Sequence, residues 1–370
     1  MILTIPAALD PHVHLRDLDW VHKASIASET SAALAGGYWA VFDMPNTPPA
    51  TINRAALDLK LERFEASACC DWGVYAGASQ RDNTADYAAM IDDVVGLKIY
   101  NNATTGDLLI ADQDERNKHY QAWAEVAVTL PLIPRSVRKG GITRPIAVHA
   151  EDETVAQILE LVRRHRVPTH FCHISTGGEI DLLRAAKREG LPISVGVTPH
   201  HLYLNDDDLP RLGAYGLMKP ELKTRADQTA LWAGLADGTV DIVESDHAPH
   251  TRAEKDSDRP PYGVPGLETT IPLLALAVHE RRITPERLIE LVAVNPRRIF
   301  GVTPPADTWA RVDLSASVVI GDAPFYSAAG VSPFAGLRVY GRVIENVIRG
   351  RVVYDGERII AAPGDGRRVR

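Results

Sequence analysis

Cysteine is scarce in this chain of 370 residues: three in all, two of them adjacent (Cys69 and Cys70). Such a set cannot build a disulfide framework and points to a reducing compartment. Basic residues are outnumbered, 40 Lys+Arg against 48 Asp+Glu for a net charge of −8, which argues against a general nucleic-acid binder. No apolar run reaches the roughly 18 residues of a membrane helix, because charges or prolines break each one. The opening MILTIPAALDPHVHLRD lacks the basic segment and long apolar core of a signal peptide, so the expectation is a cytoplasmic protein without membrane contact. Internal repeats, low-complexity tracts and a glycine-rich phosphate loop after the first strand are also missing. What remains, 45% hydrophobic and 24% charged residues, is the balance of an ordinary globular protein.

Short β-rich runs alternate with amphipathic stretches over most of the length. The predicted strands are 4–9, 38–42, 72–76, 95–100, 145–149, 169–172, 193–197 and 241–243, with helical patterns such as 23–34, 55–66, 154–165, 179–189 and 228–235 between them. Eight strands alternating with helices predict an α/β fold, a (β/α)8 TIM-type barrel; a doubly wound open sheet is the alternative. A polar, Pro-rich loop at 251–265 precedes two helices, 269–281 and 285–294, the second with Thr284 as N-cap and Pro285 in its first position. Later, RVYGRVIENVIRGRVVYDG alternates like short strands about a turn at Arg349 and Gly350. The chain therefore reads as a barrel over 1–301 and a small β-rich C-terminal appendage over 302–370. The first strand is expected to enter the barrel almost at once.

That first strand ends in Asp10-Pro11-His12-Val13-His14-Leu15-Arg16. Positions two apart in an extended chain share a side, so His12 and His14 present both imidazoles together, as a divalent metal requires. Alone, the pair is weak evidence. The other strands strengthen it: His149 ends strand five, His173 strand six, Asp246 follows strand eight and Lys98 lies on strand four. Ligand-type residues thus gather at the strand ends where barrel enzymes carry their sites. Lys98 is the odd member, because an ammonium has no lone pair. Either it pairs with Asp246 or a neighbouring carboxylate, or its amine has become a carbamate able to bridge two metals.

The segments DPHVHLRD, MPNTPPA, GLKIYNNATTGD, VHAED, FCHIS, TPHHLYL, SDHAPHT and GVPGLET, in this order, resemble the dihydroorotases of the amidohydrolase superfamily. The likeness runs from about residue 8 to the C-terminus and is strongest to the animal multifunctional pyrimidine-synthesis branch, through the RPP loop and NPRRIFG. It implies reversible, zinc-dependent cyclisation of N-carbamoyl-L-aspartate to L-dihydroorotate, a small-molecule reaction of pyrimidine biosynthesis. It implies two zinc ions: one on His12, His14 and Asp246, the other on His149 and His173, bridged by carboxylated Lys98. It further implies Asp246 as the catalytic proton carrier, and Arg16, Asn46 and His250 as ligands of the substrate's carboxylate and ring. Pro265 and Gly266 would offer main-chain groups to the ring, and Thr104 and Thr105 would ride a mobile loop. Partners implied are a second copy in a homodimer and an aspartate carbamoyltransferase.

An allantoinase or hydantoinase, or an inactive homologue supporting a partner, are the rival readings; Arg16, His250 and the complete ligand set weigh against them. Lys219 occupies a segment where relatives offer Arg or Asn to the substrate. His22, His119, His165 and His279 are expected at solvated positions, His200 and His201 in structural roles. Strand alternation turns Cys172 away from His173, as a small buried residue.

Overall fold

The computed structural model describes residues 1–129 and 144–369, so Arg370 of the appendage lies outside it. Its start departs from the expected single strand over 4–9. Ile2–Ile5 (β1) and Ala8–Val13 (β2) are separate strands, broken where Pro6 has no N–H to give and Ala7 turns left-handed at φ 49°. Antiparallel pairing attaches β1 to Trp309–Val319 (β11), with Ile2 opposite Asp313. Only β2 enters the barrel, so the chain does place β-structure ahead of it.

The other barrel strands follow the expected order: Tyr38–Asp43 (β3), Asp71–Val74 (β4) continued as Ala76–Gly77 (β5), Leu97–Tyr100 (β6), Ile146–His149 (β7), Thr169–Phe171 (β8), Ile193–Val197 (β9) and Ile242–Val243 (β10). All pair in parallel, as β2-β3-β4 and as β5 through β10. A parallel bridge between Val13 and His247 closes the ring. Nearly every strand residue is buried, which suits a parallel sheet covered by helices. Several helices begin on caps shortly past strand ends: Thr198 before Pro199–Tyr203, Thr176 with Glu179 before Gly177–Arg188. Each cap fixes the turn that presents the preceding strand end. Among the described residues no helix is long and apolar enough to cross a membrane.

The predicted helix over 285–294 runs further, from Pro285–Ile289 through a π turn at Glu290–Val294 into Asn295–Phe300. Gly301, at φ 65°, ends it. The appendage sheet has the order β1, β11, Arg338–Ile348 (β12), Arg351–Tyr354 (β13), with the expected turn at Arg349 and Gly350, both at positive φ. It packs onto Thr270–His279 so closely that a Cβ on Gly341 would lie 2.3 Å from the Ala275 Cβ. Val312, Val343, Ile348 and Val353 belong to the same hydrophobic core as the barrel. Asn346 completes the joint by donating to the carbonyls of Leu34 (3.1 Å) and Tyr38 (3.0 Å).

Candidate active site

At the C-terminal ends of the strands a cleft of about 400 Å³ is lined by His12, His14, His149, His173 and Asp246. Arg16, Asn46, Thr104, Thr105 and Lys219 form more of its wall, together with Tyr100, Tyr262 and Gly263, which sequence reasoning did not single out. His12 and His14 both aim Nε2 at Asp246 Oδ1, 3.3 Å in each case. His149 Nδ1 lies 3.1 Å from His173 Nε2, and the His12 and His173 rings are 5.0 Å apart. Two ligand groups from four strand ends therefore stand side by side.

The electrostatics suit a cation. Burial lowers the pKa of all four imidazoles, most strongly those of His12 and His173, with Lys98 adding to the effect on each of these two. Neutral rings are the form that binds metal. Nδ1–H of His14 donates to Asn46 Oδ1 (2.8 Å), and Nε2–H of His149 to Glu151 Oε1 (2.9 Å), each leaving the other nitrogen's lone pair for the site. Among the described residues, His12 Nδ1 and His173 Nδ1 are buried without a hydrogen-bond partner. His12, His14 and Asp246 bring ligand atoms within 4.8 Å of one another, as do His12, Cys172 and Glu244.

Lys98 is fully buried beneath these groups. Its Nζ donates to Cys172 Sγ (3.3 Å) and lies 5.1 Å from the Tyr100 ring. Among the described residues it pairs with no carboxylate, so the salt bridge to Asp246 is not formed. Cys172 is correspondingly not turned away: β8 ends at Phe171, His173 is left-handed at φ 37°, and alternation stops there. Burial pushes its thiol up to about 12, so it stays protonated.

Arg16 reaches the cleft by a route that alternation does not describe. β2 stops at Val13, and Arg16, Asp17 and Leu18 follow at φ 65°, 63° and 48°. Asp17, itself buried, holds this strained turn by accepting from the N–H of Leu18 (2.7 Å) and of Ile26 (2.9 Å). Asp246 is also left-handed, at φ 45°. Arg16 is 2% exposed; its Nε donates to the Pro249 carbonyl (3.2 Å), while Nη1 has no hydrogen-bond partner among the described residues. Burial brings the guanidinium down to about 10, still a cation at neutral pH.

Asn46 Nδ2 donates to the Thr105 carbonyl (2.9 Å), which draws the 101–110 segment over the cleft. Both ends of that segment are tied by one side chain. Buried Arg116 donates from Nη2 to the Asn101 carbonyl (3.0 Å) and from Nε to that of Ile110 (2.9 Å). Arg116→Ala is expected to speed amide exchange across 101–110 by about tenfold, the worth of two lost charged hydrogen bonds partly offset by water. Hydrogen-exchange mass spectrometry reads this directly, and unchanged exchange would remove Arg116 as the clamp.

Pro265 and Gly266 do not join the cleft. They line a separate pocket of about 200 Å³ with His247 and Ser327, and the Gly266 N–H is spent on His247 Nδ1 (3.1 Å). His250 lies just behind the wall, 3.2 Å from Arg16 Nη2. His119, expected in solvent, is buried between the Tyr87 hydroxyl (2.6 Å) and the Ser79 carbonyl (3.1 Å). His201 holds Thr198 and the Pro220 carbonyl, a structural role as expected. Glu244 was missed: fully buried, it accepts from the His173 N–H (2.7 Å) and meets His170 Nε2 at 3.1 Å. Its spacing two residues before Asp246 was the available signal. A Cβ on Gly196 would sit 2.4 Å from its Oε1.

Residues 3–353 match the profile of the amidohydrolase family. The chain is similar to the multifunctional protein CAD of Squalus acanthias, 38% identical over 370 residues, which are 100% of this chain and 16% of that protein. It thus spans a small part of the multifunctional relatives it matches. It is also similar to a dihydroorotase of Pyrococcus furiosus, 34% identical over 377 residues, covering 99% of this chain and 85% of that protein. Among solved structures it resembles the L-hydantoinase from Arthrobacter aurescens, with TM-score 0.90, 24% identity, 99% of this chain and 88% of that one, a likeness of fold.

Proposed function

This chain belongs to the amidohydrolase family, and we propose that it is a dihydroorotase, closing N-carbamoyl-L-aspartate to L-dihydroorotate and reopening it. One observation carries the choice of substrate: a buried guanidinium, Arg16, opens on the cleft with its Nη1 donor unpartnered among the described residues. A buried donor fork without an acceptor is costly unless a carboxylate fills it, and dihydroorotate brings one where a plain hydantoin does not.

The donor set fits a metal pair: neutral, oriented imidazoles, an acceptor-only carboxylate and orphaned ring nitrogens. His12, His14 and Asp246 would hold one zinc ion, His149 and His173 the other, with carboxylated Lys98 between them. Lys98 supports that modification because an unpaired buried ammonium is costly, whereas a carbamate on the metals is neutralised. When bound, the metals supply a water acidic near neutral pH and a Lewis acid for the ring carbonyl.

The chain's own groups do the rest. Arg16 and Asn46 bind the carboxylate and ring edge, with His250 acting from behind Arg16, and the segment carrying Thr104 and Thr105 covers the cleft against water. The Asp246 carboxylate takes the proton from the attacking water and hands it to the departing ring nitrogen; in ring closure the transfer reverses. Pro265 and Gly266 would act only through the neighbouring Gly263 wall. The proposal extends to a cytoplasmic homodimer associating with aspartate carbamoyltransferase, and to a barrel over 1–301 doing chemistry while 302–370 supports it.

Turnover of dihydroorotate, hydantoin and allantoin, with zinc content measured before and after chelation, tests the reading. Dihydroorotate is expected to lead by at least about a hundredfold, the worth of two charged hydrogen bonds. Chelation should abolish turnover and added zinc restore it. Equal rates on hydantoin, or full activity without metal, would overturn it.

A further inference from the structure

His250 is buried behind the cleft wall, and its two ring nitrogens lie at hydrogen-bond distance from three groups, with Glu254 Oε2 farther from Nδ1 at 3.6 Å. Lys23 Nζ lies 3.2 Å from Nδ1, while Arg16 Nη2 at 3.2 Å and the Tyr262 carbonyl at 3.0 Å both face Nε2. Lysine and arginine only donate, a carbonyl only accepts, and a neutral imidazole carries one proton. Burial, and then Arg16, Lys23 and Lys255 against the opposing Glu254, keep this ring neutral.

The two tautomers can therefore be counted. With the proton on Nε2, Lys23 donates to Nδ1 and Nε2–H donates to Tyr262; only Arg16 Nη2 is left without an acceptor. With the proton on Nδ1, Arg16 donates to Nε2, but the Lys23 ammonium confronts an N–H and the carbonyl confronts a lone pair. The first arrangement forms two hydrogen bonds and leaves one donor–donor contact, at Arg16 Nη2; the second forms one hydrogen bond and leaves two repulsive contacts.

We infer that Lys23 is a positioning residue that fixes His250 as the Nε2–H tautomer, its proton given to the Tyr262 carbonyl, so that both Nη donors of Arg16 are left for a ligand carboxylate. Lys23 is itself held in place. It pairs with Glu254, whose other oxygen accepts from the N–H (3.0 Å) and hydroxyl (3.1 Å) of Thr251. The Trp20 ring lies 5.5 Å from the Lys23 ammonium and 5.4 Å from the Arg16 guanidinium, stacking close to both cations. The same tautomer leaves the Arg16 Nη2 donor as free as Nη1, which makes the guanidinium a vacant fork. The role in ligand binding rests on the proposed carboxylate substrate; the tautomer does not.

The test is the nitrogen-15 spectrum of histidine-labelled protein with its metals, the His250 signal being assigned by its loss in His250→Gln. An Nε2–H ring is expected in the wild type and an Nδ1–H ring in Lys23→Met. In that variant KM for dihydroorotate should rise about tenfold with kcat within about twofold, the signature of one lost charged hydrogen bond in binding. Lys23→Gln, whose amide still donates, should return both towards the wild type. An Nδ1–H ring in the wild type, or Nε2–H persisting in Lys23→Met, overturns the assignment, and an unchanged KM overturns the role in binding. The wild-type spectrum decides the tautomer even if Lys23→Met does not fold. Since it needs no substrate, a wild type inactive on dihydroorotate would count against the proposed activity alone.

Discussion

Asp246→Asn is expected to lower dihydroorotate turnover by about a thousandfold while zinc stays bound, within the usual worth of a positioned proton carrier. An amide keeps an oxygen facing His12 and His14, each 3.3 Å away, but cannot take the proton of the attacking water. The substitution is also gentle on the backbone. Asp246 sits at φ 45°, a region that asparagine tolerates better than most residues, so the strand end should keep its shape. Stopped assays and metal analysis on the same sample check both halves. Turnover near the wild-type rate would remove Asp246 from the chemistry.

Arg16→Ala is expected to raise KM for dihydroorotate by about a hundredfold, the loss of a bidentate charged contact. Metal content should not change, because Arg16 touches the Pro249 carbonyl and His250 and none of the proposed ligands. Both side chains meet the same left-handed φ of 65°, so the turn's strain is common to wild type and variant. Substrate affinity equal to the wild type, measured by titration of the metal-loaded proteins, would contradict the role.

Much of this architecture was legible because parallel strands and metal ligands both leave local marks. Strands such as 38–42 and 193–197 announce themselves by β-branched and aromatic runs, and His149, His173 and Asp246 stand at or just past the ends of three others. The mistakes share a cause. Periodicity is blind where the backbone leaves the extended region: Ala7 splits the first strand, His173 leaves Cys172 beside Lys98, and Arg16 arrives through a left-handed turn. Burial is equally non-local. His119 looks polar on its helix, yet Tyr87 and Ser79 enclose it. The Lys23, His250 and Glu254 cluster joins residues more than two hundred positions apart, a pairing that no window along the chain reveals.

The seam that closes the barrel, Val13 against His247, has a tenant on its outer side. His247 Nε2 meets Glu29 Oε2 at 2.7 Å, and the same carboxylate accepts from the Ser327 hydroxyl (2.6 Å) and the Ala328 N–H (2.9 Å). Three distant stretches of chain thus share one buried anion, immediately beside Asp246. A polypeptide pared down to its first 301 residues would leave that buried anion with two donors fewer. Such a shortened chain would come apart first at the stave that carries Asp246.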